Sequence, residues 1–399
     1  VFDLIKNSSK YGIDISDYKV NWEKIIQRSR NISKRLNKGI EFLMNKNNIK
    51  FFNSKANILD NNTLSLDGSG ELIKTKNIII ATGTKQKNLP GIKLDGKKII
   101  SSREAMVLKE IPKKITIIGA GAIGVEFAHL YNTFGSEVTL IESMSRILPN
   151  EDEDISKELT SIFSKKKINV LTSQKVSKVE SLKNQVKISL DNNELNTDIL
   201  LVAVGVTGNI SNIGLKKIGI ETDKGFILKN KYLQTNIKNI YAIGDVSGPP
   251  LLAHVASSEA IVAVEHICNH SSSEMNYKNI PACTYCEPEI ASVGLTEKKA
   301  KDSGYSIKVG KFPFRALGKS LADGSHEGFV KVIYDDKYGE LLGCHIIGHN
   351  ASNLISEVGI ARMLETTYHE ILKTVHPHPT LSEAIHEATA DAFKEAIHI

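Results

Sequence analysis

The chain has 399 residues, 41% apolar and 24% charged, with a formal net charge of +6. That length exceeds what one hydrophobic core supports, so two to four globular domains are expected. The lysines are spread along the chain rather than gathered on one face, which argues against nucleic acid as a partner, and no apolar run approaches the roughly 18 residues that a membrane span needs. Four cysteines, at 268, 283, 286 and 344, are too few and too scattered for a disulfide framework and suit a reducing compartment, so a cytoplasmic location is expected. The sequence begins at Val1 with the helix-like VFDLIKNSSKYGID. Its start is expected to lie upstream, which leaves a transit peptide open.

Residues 22 to 48 place Ile25, Ile26, Ile32, Leu36, Ile40 and Leu43 near helical spacing, with basic residues between them, and predict one long amphipathic helix. Short strands with Asn and Gly turns follow from Ile49 to Ile73, and NIIIATGT reads as a buried strand running into a tight glycine turn. A linker leads to ITIIGAGAIGVEFAHLYNTFGSEVTLIE, a compact strand, turn, helix, strand unit. KVSKVESL, QVKISL and DILLVAVG read as further strands before a second apolar run, NIYAIGDV. From about Ile280, EIASVGLTE, GFVKVIYD and LLGCHIIG read as strands, and two helices flank TVHPHPTLSE. Pro377 and Pro379 keep that segment out of a helix interior or a central strand. The plan is α/β: a first unit, a middle nucleotide unit, a short return segment and a C-terminal α+β domain.

The most specific motif is Gly119-x-Gly121-x-x-Gly124, because it follows a strand and opens a helix. The first glycine permits the tight turn, the second lets a pyrophosphate approach the backbone, and the third allows helix to pack closely on strand. The next strand ends in Glu142, placed to accept hydrogen bonds from a ribose 2′-hydroxyl and to repel a 2′-phosphate, which favours NAD over NADP. NIIIATGTKQ and NIYAIGDVSGPPLLAH each put a small-residue turn at the end of an apolar strand, and their order around the dinucleotide unit suggests one domain interrupted by another. Cys283 and Cys286 have C-x-x-C spacing, but zinc would need a second ligand pair and a thioredoxin-like pair should open a helix. Either His376 or His378 could be a general base, and a surface histidine in a stiff loop is the bland alternative for both.

The chain resembles the flavoprotein disulfide reductases, and among them the dihydrolipoamide dehydrogenases. The resemblance is carried by IIIATGT, SSREAMVLKEIPKKITIIGAGAIGVEFA, SRILPNEDEDI, YAIGDVSGPPLLAH, IPACTYCEPEIASVGLTE and TVHPHPTLSEA, in the family's order from about residue 75 onward. It implies two Rossmann-like domains plus a C-terminal α+β dimerisation domain: an FAD domain over 1–109, interrupted by an NAD domain over 110–232, resumed over 233–278, and followed by an interface domain over 279–399. Thr82, Gly83, Thr84, Asp245, Leu251, Leu252, Ala253 and His254 would line the FAD site, with Asp245 facing the ribityl chain and Ala56 near the adenine half. Gly119, Ala120, Gly121, Ala122, Ile123, Gly124, Glu126, Glu142, Val176 and Gly205 would hold NAD. His378 would be the catalytic base and Glu383 its orienting partner, with His376 a neighbour without that role. The implied activity is FAD-dependent oxidation of protein-bound dihydrolipoamide with NAD+ as acceptor. The implied assembly is a homodimer serving the lipoyl domains of 2-oxoacid dehydrogenase or glycine-cleavage complexes, with no metal.

Two departures stand beside that resemblance. The family's first dinucleotide fingerprint and its Cys-x-x-x-x-Cys redox pair occur nowhere in these residues and are expected upstream of Val1. After Gly205 the chain reads Val-Thr-Gly-Asn where the family has Arg-x-Pro-Asn, which bears on the NAD contacts there. Other readings are a glutathione-type reductase, disfavoured by Glu142, a mercuric reductase, disfavoured because no C-terminal vicinal cysteines follow, and a non-catalytic nucleotide-binding assembly subunit.

Overall fold

A computed structural model describes residues 1–191, 193–270 and 273–398. Helix α1, Trp22–Lys46, is N-capped by Asn21, whose side chain accepts the Lys24 N–H, and it ends two residues before the predicted limit. Its only buried residue is Trp22, whose indole donates to the Leu108 carbonyl at 2.8 Å and packs edge-on against Phe134. The spacing that predicted a helix was right, yet Ile32, Leu36, Ile40 and Leu43 along its stripe are exposed. An antiparallel meander, Ala56–Asp60, Thr63–Leu66 and Leu72–Lys74, then precedes β1, Ile78–Ile80, and β2, Thr84–Gln86.

The middle of the chain builds a parallel sheet from β3 (Ile99–Ile100), β4 (Lys114–Ile118), β5 (Glu137–Ile141), β6 (Asn169–Leu171) and β7 (Ile199–Val202), in the order β3-β7-β4-β5-β6. Helices α2, Ala122–Thr133, and α3, Glu153–Lys165, cross over between β4 and β5 and between β5 and β6. Ile115, Ile117, Val138 and Leu140 are fully buried with Val125, Ala128, Leu159 and Phe163, as expected for parallel strands covered on both faces. A small antiparallel sheet, Val176–Ser181, Val186–Leu190 and Glu194–Thr197, packs Val186 and Ile188 onto Ile99, Ile118 and Leu200. β3 belongs to the five-stranded parallel sheet, beside β7, although it precedes residue 110. β8, Val206–Gly208, leaves it to pair antiparallel with β2 well before residue 232. Strand β9, Ile240–Ala242, returns to lie parallel to β1, Ile240 opposite Ile78, and α4, Ala253–Ile267, follows.

The C-terminal domain is an antiparallel sheet of β10 (Ala282–Thr284), β11 (Glu289–Gly294), β12 (Ile307–Pro313), β13 (Phe329–Asp335) and β14 (Leu341–Gly348), in the order β10-β11-β14-β13-β12. Every residue of β13 and β14 is buried. The pleat sends alternate side chains to different cores: Val330, Val332 and Tyr334 pack with helices α5, Ala351–Met363, and α6, Glu383–Ala392, while Phe329 joins the core of the parallel sheet. Lys331 shares the Phe329 side and meets Asp152, the N-cap of α3, and Asp154 at 2.8 and 2.9 Å, and Glu297 at 2.7 Å. A buried lysine in the apolar run GFVKVIYD thereby meets one buried carboxylate, Asp152, and two partly exposed ones across a domain boundary.

Candidate active site

The dinucleotide turn has the stereochemistry its glycines predict. Gly119 has φ +99°, and a Cβ there would sit 2.4 Å from the Ala203 carbonyl oxygen. A Cβ on Gly124 would lie 1.9 Å from the Gly119 oxygen, so only glycine lets α2 rest on the turn, while Gly121 opens onto free space where a phosphate can approach. Ala120 is buried, Ala122 begins α2 and Ile123 is 40% exposed towards the cleft that Gly205 and Val206 also line. These observations fit a pyrophosphate on the positive end of α2.

Glu142, at the end of β5, is buried and holds the turn directly. Its Oε2 accepts the Ala120 N–H at 2.8 Å and its Oε1 accepts the Met144 N–H at 2.9 Å and the Ser143 hydroxyl at 3.2 Å. Two ionised oxygens offer about four acceptor sites, so one remains for a ribose hydroxyl. Val176 opens the small antiparallel sheet, half-buried. Gly205, φ +94°, turns the chain from β7 towards β8. Glu126, on α2, accepts the Tyr285 N–H through its Oε1 at 2.9 Å, tying α2 to the C-terminal domain. Burial raises its carboxyl above the ordinary range against the opposing pull of that N–H. The Val-Thr-Gly-Asn stretch has a structural role of its own, because Gly208 approaches the Gly225 carbonyl so closely that a Cβ would stand 2.6 Å from its oxygen.

The two strand-end turns expected to serve FAD come together, since β1 and β9 are parallel neighbours. Thr84 donates its hydroxyl to Asp245 Oδ2 at 3.2 Å. Thr82 donates to the Asn209 carbonyl at 2.9 Å, and Gly83, φ +66°, accepts from the Asn209 N–H through its carbonyl. Leu251 and Leu252 lead into α4, which starts at Ala253, and His254 Nε2 bonds the Pro281 carbonyl at 2.9 Å. Ala56 begins the meander with its side chain exposed, opposite Leu66 of the next strand.

The histidine segment separates its two imidazoles sharply. His378 is 77% exposed, with Nδ1 held by Glu383 Oε1 at 2.9 Å, and Glu383 Oε2 accepts the Thr380 N–H at 2.8 Å. Burial alone would raise the Glu383 carboxyl, but the Thr380 N–H and His378 outweigh it and hold it below the usual range. His376 is only 7% exposed and pairs through Nε2 with Glu357 of α5 at 2.7 Å, a partner the sequence reading did not single out. Cys283 and Cys286 are both free. Burial pushes the Cys286 thiol up to about 12 and raises that of Cys283, so neither is disposed to be a thiolate.

Comparison with known proteins fits this geometry. Residues 6–260 match the profile of the pyridine nucleotide-disulphide oxidoreductases, and residues 280–389 match the dimerisation domain of the same family. The chain belongs to the pyridine nucleotide-disulphide oxidoreductases, flavoproteins that use FAD and NAD. It is 42% identical to the dihydrolipoyl dehydrogenase of Chlorobaculum tepidum over 99% of this chain and 86% of that relative. The dihydrolipoyl dehydrogenase of Bacillus subtilis is 40% identical over all of this chain and 88% of its own length. Within the family the chain therefore falls among the dihydrolipoyl dehydrogenases. The crystal structure of LpdA from Mycobacterium tuberculosis superposes with a TM-score of 0.90 at 23% identity, over 97% of this chain and 87% of that one, and shares the fold.

Proposed function

We propose that this protein oxidises dihydrolipoamide carried on the lipoyl domains of a 2-oxoacid dehydrogenase or glycine-cleavage complex, with NAD+ as acceptor, as a homodimer acting in the cytoplasm. The observation that carries the reading is the His378–Glu383 pair, with Nδ1 held at 2.9 Å on an imidazole that is otherwise exposed. The carboxylate keeps the proton on Nδ1 and leaves Nε2 bare, so Nε2 can take the proton from a substrate thiol and the thiolate can form. The imidazolium that results sits against an ionised carboxylate, which stabilises it. Glu383 in turn is fixed by the Thr380 N–H.

Thr82, Gly83, Thr84, Asp245 and the stretch from Leu251 to His254, with Ala56 at the adenine half, are the residues assigned to FAD, and Gly119 to Gly124, Glu126, Glu142, Val176 and Gly205 those assigned to NAD. A bound flavin supplies the two-electron chemistry between a dithiol and a nicotinamide. The Gly121 N-cap presents the α2 end to a pyrophosphate, and Glu142 selects the 2′-hydroxyl by disfavouring a phosphate there. None of the four cysteines is assigned the enzyme disulfide; the Cys286 thiol is buried, Cys283 is half-buried, and desolvation raises both above the ordinary thiol range. The division into domains at residues 109, 232 and 278 is part of the same proposal.

The test is NADH formation from dihydrolipoamide by the complete gene product and its His378→Ala variant. The variant should lose about 10²- to 10⁴-fold in kcat. A variant as active as the parent would sink the assignment, and a preference for NADPH would contradict the role given to Glu142.

A further inference from the structure

Beneath the turn that carries Asp245 lies a buried charged cluster that the reaction chemistry does not use. Glu259, in the middle of α4, has a side chain only 2% exposed and is ion-paired with Lys229, 12% exposed. Its Oε2 accepts the Gly244 N–H at 2.5 Å, and its Oε1 accepts the Tyr277 hydroxyl at 2.6 Å as well as Lys229. Lys229 Nζ also donates to Ser247 Oγ at 2.8 Å, and the Ser247 hydroxyl donates to the Gly244 carbonyl at 2.7 Å. Both backbone polar groups of Gly244 are thus tied into one closed circuit.

We propose that Lys229, Glu259 and Tyr277 are positioning residues that hold the Gly244–Ser247 turn in a single conformation, so that Asp245 is preset to receive the hydroxyls of a flavin's polyol chain. The role of Asp245 in this rests on the FAD reading above. Gly244 has φ +67°, a left-handed conformation that glycine adopts freely, and a Cβ there would stand 3.1 Å from the Ala256 Cβ, so the turn is seated directly on α4. An apolar pair of similar volume would fill the space beneath it without the desolvation cost of two buried charges. What the charges add is direction. A carboxylate aimed at one N–H and an ammonium aimed at one hydroxyl fix the turn from two sides, with charge-assisted bonds stronger than neutral ones. On the far side, the Asp245 carboxylate accepts the Thr84 hydroxyl at 3.2 Å, its one side-chain bond among the described residues.

The experiment measures backbone amide exchange of peptides covering residues 240–250 in the ligand-free chain and FAD affinity by flavin fluorescence titration. Glu259→Ala should speed exchange in this segment about ten- to hundred-fold, the loss expected for one charge-assisted bond, and weaken FAD by a similar factor. The Lys229→Met/Glu259→Gln double variant keeps an acceptor for the Gly244 N–H while removing both charges and the bond to Ser247, and should recover only part of the protection; full recovery would overturn the role given to the charges. Ile188→Ala, a core truncation in the remote antiparallel sheet, serves as the control for general destabilisation. Unchanged exchange in Glu259→Ala, or an effect no larger than in Ile188→Ala, would overturn the proposal. If Asp245→Ala leaves FAD affinity unaltered, the FAD reading fails instead, and the exchange data alone still decide whether the cluster orders the turn.

Discussion

Glu383→Gln is the sharpest test of how the candidate base works. The carboxylate makes two bonds, Oε1 to His378 Nδ1 at 2.9 Å and Oε2 to the Thr380 N–H at 2.8 Å. Glutamine keeps one acceptor oxygen, which the Thr380 N–H claims, and so turns its amide N–H2 towards His378. Nδ1 must then accept rather than donate, which places the imidazole proton on Nε2, the nitrogen that has to take the substrate proton. The pair also loses the charge that stabilises the imidazolium. Losing a charge-assisted bond is worth about 1.5–3 kcal/mol, and the wrong tautomer adds to it, so kcat for dihydrolipoamide oxidation should fall by about 10²- to 10⁴-fold. The assay is steady-state NADH formation by the complete gene product, with NADH affinity measured alongside to show that the fold is intact. A kcat within threefold of the parent would refute the claim that Glu383 sets the tautomer.

Three further outcomes are expected. Lys331→Met leaves Asp152 buried without its cation, so it should cost about 3–5 kcal/mol of stability in urea unfolding, and adding Asp152→Asn should recover part of it; a loss under 0.5 kcal/mol contradicts the ion cluster as a domain clasp. His376 is raised above its ordinary value first by its hydrogen bond to Glu357, with burial opposing and Glu383 adding a smaller pull, while the His386 ring lies 5.8 Å away. A raised folded pKa gives stability that is complete below the unfolded value of about 6.5 and is lost as pH rises through the folded one; unfolding midpoints should fall over that window in the parent and stay flatter in Glu357→Gln. Glu142→Ala removes the acceptor of the Ala120 N–H and the repulsion of a 2′-phosphate, so NADH should bind about tenfold or more weakly while NADPH is penalised less. Equal losses for both nucleotides in a binding titration would remove the selectivity argument.

Much of the chemistry was legible in local sequence. The glycine spacing from 119 to 124, with a strand before and Glu142 after, is a short-range code, because each glycine answers a steric demand within one turn of chain. His378 and Glu383 lie five residues apart with Pro379 between them, but local sequence ranked His378 no higher than His376, and the family resemblance made that choice. The strand ends at Thr82 and Asp245 were legible only as separate turns. What the sequence reading passed over shares one property: the partners lie far apart along the chain. Lys331 and Asp152 are 179 residues apart, Lys229 and Glu259 are 30 apart, and Glu357 lies 19 residues before His376. In strand β13 an apolar run announces burial on both faces, but nothing within the run says that its lysine will meet three carboxylates. The stripe on α1 shows the converse, since helical periodicity says which face is apolar and not what covers it.

By itself, then, the sequence determined the order of α/β units and the dinucleotide turn, because local sterics and short-range spacing specify them, while only the resemblance to a known family singled out His378 with Glu383. Only the tertiary structure decided that His376 is buried against Glu357 while His378 is exposed, that Asp245 meets Thr84 across two parallel strands, and that buried charges join the domains and underlie the Asp245 turn. Those arrangements follow from chain crossings that bring distant residues together, and a buried charge is tolerated only where such a crossing delivers its partner.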